Sequence, residues 1–317
     1  MKKVLKIIGK GLIALLILIV LFLLVMFIYH RVMLKKEDKL LKDYPGELVE
    51  VNGHNMNVYV NGKGKHTLVF LAAAGQTSPV ITFKPLYSKL EDDYRVVVIE
   101  KFGYGMSDII GDKRDYETMV NEMREALNKL NIEGPYILCP YSKSGIDTLI
   151  WQQNYPEEVE AIISLDMAFP ESFKELDIST GGAGLISFVR NSGLIRLFIS
   201  DSDISDIYSK DDKSFIKALF YRKYANKVFL NEMETVKDAA KSISNKEKPA
   251  IPMYLFMSNG EGTGNDEEKW QGYAYSYIGD NKNISITKYN SSHDSIIDDN
   301  YEDIVNNIKK FTTDIDK

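Results

Sequence analysis

The residues with the clearest chemical potential lie in the segment PYILCPYSKSG, residues 135–145. The apolar run before Ser142 predicts a strand and the run IDTLIWQQNY after it predicts a helix, so Ser142 lies at a strand-to-helix turn. This is the context of the nucleophile in the G-x-S-x-G motif, whose small flanking residues permit a sharp turn. Pro140 and Ser144 occupy the two glycine positions here. Because serine is also a preferred helix N-cap, the structural interpretation stays open.

The elements that must position Ser142 alternate between strand-like and helix-like stretches from Glu47 onward. The strand candidates are the hairpin ELVEVNGHNMNVYVNG and the runs HTLVFLA, YRVVVIE, PYILC, VEAIISLD, IPMYLFM and ISITKY. Between them, PVITFKPLYSKLE predicts a helix that opens at Pro79. This alternation predicts an α/β fold with a mostly parallel sheet covered by helices on both faces. Helical periodicity from about residue 168 to 248 predicts a helical cap, either a lid or stabilising packing.

Four blocks in order resemble the α/β-hydrolase fold superfamily of ester and peptide hydrolases. VFLAAAGQTSP resembles the strand and loop that usually carry His-Gly, and EKFGYGMSD resembles the D-x-x-G-x-G-x-S-D loop. PYSKSG resembles G-H-S-x-G-G, and NYPEEVEAIISLD resembles the segment that leads into the following strand. The resemblance runs from about Glu47 to the C-terminus. It implies the α/β-hydrolase fold and a serine nucleophile at Ser142.

The resemblance also implies a catalytic base, because in this superfamily an acid and then a histidine follow the serine. The chain has four histidines. His30 lies at the predicted membrane edge, while His54 and His66 both precede Ser142. His293, in the loop YNSSHDSII, is therefore the predicted base that takes the serine proton.

Two carboxylates compete for the role of the acid. Asp166 ends the strand AIISLD and resembles the acid of the lipase block GLDPA. Glu261 follows the strand IPMYLFM, which is the commoner position in the superfamily. The loop that contains Glu261 lacks the usual G-x-x-D motif, and this absence favours Asp166 as the acid. A carboxylate at either place can also simply bind nearby backbone amides.

The resemblance further implies two backbone amides as oxyanion donors, those of Ala74 and Lys143. Ala72 and Ala73 replace the usual His-Gly pair, but a backbone amide does not depend on its side chain. The Lys143 side chain itself is expected on a solvated helix surface. Tyr141 is expected to pack beneath the cap.

The first thirty residues predict a membrane anchor. Four lysines precede an uncharged run of 19 residues from Gly11 to Tyr29, which as a helix crosses the ~30 Å hydrocarbon core. The alternative, a cleaved signal peptide, has a shorter apolar region that ends in small residues. Residues 1–30 are thus the predicted anchor, residues 31–46 a charged juxtamembrane stalk, and residues 47–317 the α/β-hydrolase domain. Basic residues lie on both sides of the apolar run, so charge alone does not decide the orientation. A short basic N-terminus followed by one long apolar run is typical of a signal anchor, which favours a single-pass cell-membrane protein with its hydrolase domain outside the cytoplasm.

The amino-acid composition disfavours several classes of binding partner. Four of the 39 basic residues lie in the anchor, which leaves 35 against 45 acidic residues in the remainder, and this negative balance disfavours nucleic acid. With one cysteine, four scattered histidines and no phosphate-binding glycine loop, neither a metal nor a cofactor is predicted. The predicted partners are the membrane and a small-molecule or lipid-like acyl substrate.

These features together predict a membrane-anchored serine hydrolase that cleaves a carboxylic ester through an acyl-enzyme. The anchor and the apolar cap favour a hydrophobic acyl group. Two alternatives remain: a proline-releasing aminopeptidase or amidase on the same fold, and a non-catalytic ligand-binding member. The replaced motif residues Ala72, Ala73, Pro140 and Ser144 keep the last alternative open.

Overall fold

The centre of the protein is an eight-stranded sheet, seen in a computed structural model that describes residues 2–174, 182–246 and 248–317. Its strand order is β1-β2-β4-β3-β5-β6-β7-β8. β1 pairs antiparallel with β2, β2 pairs antiparallel with β4, and all other neighbours are parallel. The predicted mostly parallel sheet is confirmed. The strands are β1 (Glu47–Val51), β2 (His54–Asn61), β3 (Thr67–Leu71), β4 (Arg95–Glu100), β5 (Tyr136–Pro140), β6 (Val159–Leu165), β7 (Met253–Met257) and β8 (Ile284–Lys288).

Helices cover both faces of this sheet because its strands alternate between two apolar cores. In β4, Val97 and Ile99 enter one core, while Val96 and Val98 enter the other. Helices α4, α5, α8 and α9 pack on the first face, and α2, α3, α7 and α10 pack on the second. The helices are α1 (Lys2–Leu40), α2 (Pro79–Thr82), α3 (Lys84–Tyr87), α4 (Tyr116–Lys129), α5 (Ser144–Asn154), α6 (Ala183–Ser192), α7 (Lys210–Lys223), α8 (Lys227–Ser244), α9 (Glu267–Ile278) and α10 (Ile296–Ile315).

The segment after Pro79 differs from the prediction of one helix. It forms two short helices, α2 and α3, which meet at Phe83. Pro85 lies in the first turn of α3 and has no N–H group to continue the hydrogen-bond ladder of α2. The helix is therefore interrupted at this point.

Three helices, α6, α7 and α8, lie in the interval predicted as a cap, between β6 and β7. Residues 175–181 and 247 of that interval lie outside the described residues. α8 packs against α4 and α5, whereas α6 and α7 contact α1. The cap region therefore joins the body of the protein to the N-terminal helix.

Helix α1 runs without a break through the predicted anchor and most of the predicted stalk. Within the described residues it is the one helix that is long and apolar enough to cross a membrane. A short 3₁₀ turn, Leu41–Asp43, ends it before Pro45.

Candidate active site

Ser142 occupies a sharp turn between the end of β5 and the start of α5. Its φ angle is +56°, in the left-handed region that residues with a Cβ rarely adopt. Such strain is kept where the surrounding structure imposes it, and it clusters at functional sites. The turn presents Ser142 to a cavity at the carboxyl ends of the parallel strands.

The residues around Ser142 explain how this turn forms without the usual glycines. The Ser144 hydroxyl accepts a hydrogen bond from the Tyr141 amide at 2.9 Å and donates to the Leu71 carbonyl at 2.8 Å. Ser144 is fully buried and ties the turn to β3. At Gly145 a Cβ atom would lie 2.3 Å from the Ala168 carbonyl oxygen. Glycine is therefore required at position 145, while the hydroxyl of Ser144 stabilises the turn from within.

His293 joins Ser142 to Asp166 in one hydrogen-bonded chain. His293 Nε2 lies 2.8 Å from Ser142 Oγ, and His293 Nδ1 lies 2.6 Å from Asp166 Oδ2. His293 comes from the loop between β8 and α10, and Asp166 directly follows β6. The structure thus brings together three predicted residues that are up to 151 positions apart.

Of the two competing acids, only Asp166 contacts the imidazole of His293. The Glu261 side chain is exposed, and its backbone carbonyl accepts the His293 amide at 2.8 Å. Glu261 therefore shapes the loop beside His293 but does not orient the ring.

Two residues that the sequence analysis missed hold Asp166 in place. Ser258 donates its amide to Asp166 Oδ1 at 2.9 Å and its hydroxyl to Oδ2 at 2.5 Å. Trp270 donates its indole N–H to Oδ1 at 2.9 Å. Ser258 directly follows β7, the strand whose following loop also holds Glu261, and this position is a signal that could have found it. The sequence pattern around Trp270 carries no such signal.

Aromatic rings on two sides fix the plane of His293. Trp270 meets the imidazole edge-to-face at 5.3 Å between ring centroids, and Tyr141 packs at 5.5 Å. The Tyr141 hydroxyl donates to the His293 carbonyl at 2.8 Å, and burial raises the pKa of Tyr141. Tyr141 therefore lines the cavity and packs against His293.

The cavity in front of Ser142 has a volume of about 350 Å³. Ala74 and Lys143 border it. In the described parts of the chain, neither of their amides donates to a protein acceptor, whereas the neighbouring Ala73 amide donates to Gln76 Oε1 at 2.9 Å. Phe173 and Met233 contribute apolar walls from the cap interval. The arrangement offers two unpaired N–H groups beside a serine hydroxyl.

The Lys143 side chain contradicts the prediction of a solvated surface. It is only 2% exposed and donates to Glu232 Oε2 at 2.7 Å and to the Tyr116 hydroxyl at 3.1 Å. Glu232 belongs to α8, which covers this end of α5 and removes Lys143 from water. The prediction failed because the partner lies 89 residues further along the chain.

A second ion pair extends this buried cluster. Lys101 Nζ lies 3.0 Å from Asp147 Oδ1 and 3.5 Å from Glu232 Oε2. Burial alone would lower the pKa of Lys143, but the charges of Glu232 and Asp147 outweigh it and raise that pKa. Burial alone would raise the pKa of Glu232, but Lys101 and Lys143 lower it. The two lysines and two carboxylates form one buried cluster, in which Lys143 and Glu232 favour each other's charged form.

A metal centre has no support in the described part of the chain, where no group of three or more His, Cys, Asp or Glu side chains could hold an ion. The polar side chains that line the cavity include those of Ser142, Ser172, Thr263, Asn265, His293 and Asp294.

Comparisons with known proteins agree with this architecture. No family model matches the chain. It is 33% identical over 261 residues to "Uncharacterized protein YbdG" of Bacillus subtilis (strain 168), covering 78% of this chain and 79% of that protein. The enol-lactonase of Burkholderia xenovorans LB400 superposes with a TM-score of 0.62 at 14% identity, over 84% of this chain and 100% of the other. A Bacillus megaterium epoxide hydrolase in complex with an inhibitor gives 0.61 at 16% identity, over the same shares.

The structural matches define the class: this is a protein of the α/β-hydrolase fold, as the sequence blocks predicted. Within that class, the chain belongs to the same family as YbdG of Bacillus subtilis.

Proposed function

We propose that the protein is a membrane-anchored serine hydrolase that cleaves a carboxylic ester through a Ser142–His293–Asp166 triad. The observation that carries the proposal is the hydrogen-bonded chain from Ser142 Oγ through His293 to Asp166, with distances of 2.8 and 2.6 Å. This is the order of nucleophile, base and orienting acid that activates a serine. The turn at Ser142 then acts as a nucleophile elbow within a catalytic domain of residues 47–317.

The chemistry follows from the roles of these groups. His293 Nε2 takes the proton as Ser142 Oγ attacks the ester carbonyl carbon, and Asp166 stabilises the resulting imidazolium. The amides of Ala74 and Lys143 donate to the carbonyl oxygen as it gains negative charge. His293 then protonates the departing alcohol, which leaves an acyl group on Ser142. A water molecule, deprotonated by His293, releases the acid and restores the serine.

Ester cleavage fits this site better than epoxide opening. Enol-lactonase is named for a cyclic ester, whereas other structures of this fold are named epoxide hydrolases. If Ser142 attacked an epoxide carbon, the adduct would be an ether without a carbonyl group. Because this ether has no carbonyl carbon for water to attack, hydrolysis could not release it from Ser142, and the enzyme would not turn over. An ester leaves an acyl-enzyme that the same base can hydrolyse.

The anchoring part of the proposal rests on α1. Its apolar stretch has a mean hydropathy of 3.4 and is not covered by protein, which is the state of a helix whose side chains face lipid. The basic start and the long uncharged run favour an uncleaved signal anchor with the hydrolase domain outside the cytoplasm. Retention of the full-length protein in membranes after alkaline carbonate extraction tests the anchor.

The catalytic proposal is tested with a fluorophosphonate probe on the full-length protein in detergent. We expect wild type to be labelled, and Ser142→Ala and His293→Ala to lose labelling. Ser172→Ala is the matched control, because Ser172 lines the same cavity but donates its hydroxyl to the Phe169 carbonyl at 2.8 Å. A folded wild type that is not labelled would overturn the proposal and favour a ligand-binding role.

A further inference from the structure

The cap region is bound to the end of α1 by a compact set of ion pairs. Arg196 donates to Glu37 at 2.6 and 3.1 Å and to His30 Nδ1 at 2.9 Å. Arg222 donates to Glu37 at 2.7 Å and to the Leu34 carbonyl at 2.6 Å. Because both arginines make several hydrogen bonds to α1, they hold the cap region in a fixed orientation relative to that helix.

The neighbours of Gly193 show where along α1 this contact lies. A Cβ atom on Gly193 would lie 2.8 Å from the Met26 carbonyl oxygen and 2.5 Å from the Cβ of His30. Gly193 therefore touches the last turn of the uncharged run, which ends at Tyr29. If α1 spans the bilayer, as the proposed function requires, this turn lies at the boundary between the acyl chains and the headgroups.

Large apolar side chains surround Gly193 in sequence and are not covered by protein. They are 50% to 69% exposed. We call them the cap apolar patch, which consists of Leu185 and Phe188 on α6, and of Leu197 and Phe198, four and five residues after Gly193. The two segments that carry them contact each other, and large apolar side chains exposed in one region of a surface mark an interaction site.

Charged residues of α1 lie just beyond this level. Lys35, Lys36 and Lys39 are exposed on the helix and Lys42 follows them. Lys35 is about 9 Å past Tyr29 along the axis, at 1.5 Å per residue. Basic side chains at this distance from an apolar segment face anionic headgroups.

We propose that the cap apolar patch rests in the interfacial layer of the same bilayer that α1 spans. The occupant of the patch is lipid, because Leu197 of the patch lines one cavity with Met26 and Tyr29 of α1, at the level where Gly193 contacts the helix. The patch and the helix then form a two-point attachment that holds the cap on the membrane. This inference rests on the anchored state in the proposed function, and it adds a membrane-binding surface on the cap.

Depth-dependent fluorescence quenching tests the inference on the full-length protein in vesicles of phosphatidylcholine and phosphatidylglycerol. One introduced cysteine in each variant carries an environment-sensitive dye: Leu18→Cys in the span, Leu197→Cys and Phe198→Cys in the patch, and Ile286→Cys on β8 as the exposed control. The native Cys139 is fully buried, and burial raises the pKa of its thiol, so it stays unlabelled in the folded protein.

If the patch contacts lipid, a spin-labelled lipid quenches the dyes at positions 197 and 198 at least about twofold more than the dye at position 286, as expected for side chains in the acyl boundary. Aqueous iodide should instead quench the dye at position 286 more than the dyes at positions 197 and 198. If spin-labelled lipid quenches the dye at position 18, while the dyes at positions 197 and 198 are quenched only by iodide, then α1 spans the membrane but the patch does not contact lipid. The inference then fails. If position 18 also responds only to iodide, the anchor itself is wrong.

Discussion

The Lys143 ammonium lies 2.7 Å from the Glu232 carboxylate, and this buried ion pair connects the residue after Ser142 to the cap helix α8. Lys143 supplies one of the two amides proposed to bind the oxyanion. The pair therefore ties the backbone next to Ser142 to α8 through the buried side chain of Lys143.

Removing the charge of Glu232 is expected to destabilise the protein. Glu232→Gln leaves Lys101 and Lys143 opposite Asp147 alone, and breaking a buried ion pair costs about 3–5 kcal/mol. Urea denaturation measures the free energy of unfolding. Glu234→Gln, on the same helix with an exposed partner Lys113, is the control and should change it by less than about 0.5 kcal/mol. Equal losses in both variants would contradict the role of the buried pair.

The choice of acid predicts a large difference between two conservative variants. Asp166→Asn keeps the shape but loses the charge that orients His293, so we expect the rate of fluorophosphonate labelling to fall by about 10³-fold or more. Glu261→Gln should stay within about twofold, since its side chain makes no contact with the imidazole. The two labelling rates, measured side by side, decide the assignment. A larger loss in Glu261→Gln would reverse it.

Asp298 predicts a pH dependence of stability. Burial raises the pKa of Asp298 to about 6, although the Tyr208 hydroxyl, which donates to it at 2.7 Å, favours the charged form. Because the folded pKa lies above the unfolded value, the folded state binds the proton more tightly, and this carboxyl lowers stability as pH rises through that range.

Asp298→Asn should therefore raise the free energy of unfolding at pH 7, by about 1–2 kcal/mol after allowance for solvent screening. The advantage should shrink as pH falls from 7 to 4, because the folded wild-type carboxyl becomes protonated below its pKa of about 6. Thermal or urea unfolding at several pH values measures this trend. An advantage that does not change with pH would show that lost packing or hydrogen bonding, rather than charge, controls the effect.

The apolar walls of the cavity predict a preference for long acyl chains. Phe173 and Met233 line the same cavity as Ser142, so burial of additional methylene groups should favour binding by up to ~0.8 kcal/mol each. Turnover of p-nitrophenyl esters of increasing chain length, in detergent below and above each ester's solubility limit, measures the trend. Ser142→Ala corrects for spontaneous hydrolysis. Turnover of short-chain but not long-chain esters would count against a lipid-like substrate.

Much of the fold was predictable because its signals are local. The alternation of apolar runs with amphipathic stretches depends on neighbouring residues, and it predicted the parallel sheet and the helices on both faces. The strand-to-helix context of Ser142 and the loop position of His293 are also local. Their catalytic roles stay predictions, while their proximity is now a structural fact.

The tertiary structure decided what depends on contacts between distant residues. Asp166 meets Ser258 and Trp270 across 92 and 104 positions, and this contact separates it from Glu261. Lys143 was expected in water, but α8 folds over it and supplies Glu232. Composition and periodicity describe a residue's own segment, whereas burial and hydrogen-bond partners depend on which other segments fold against it.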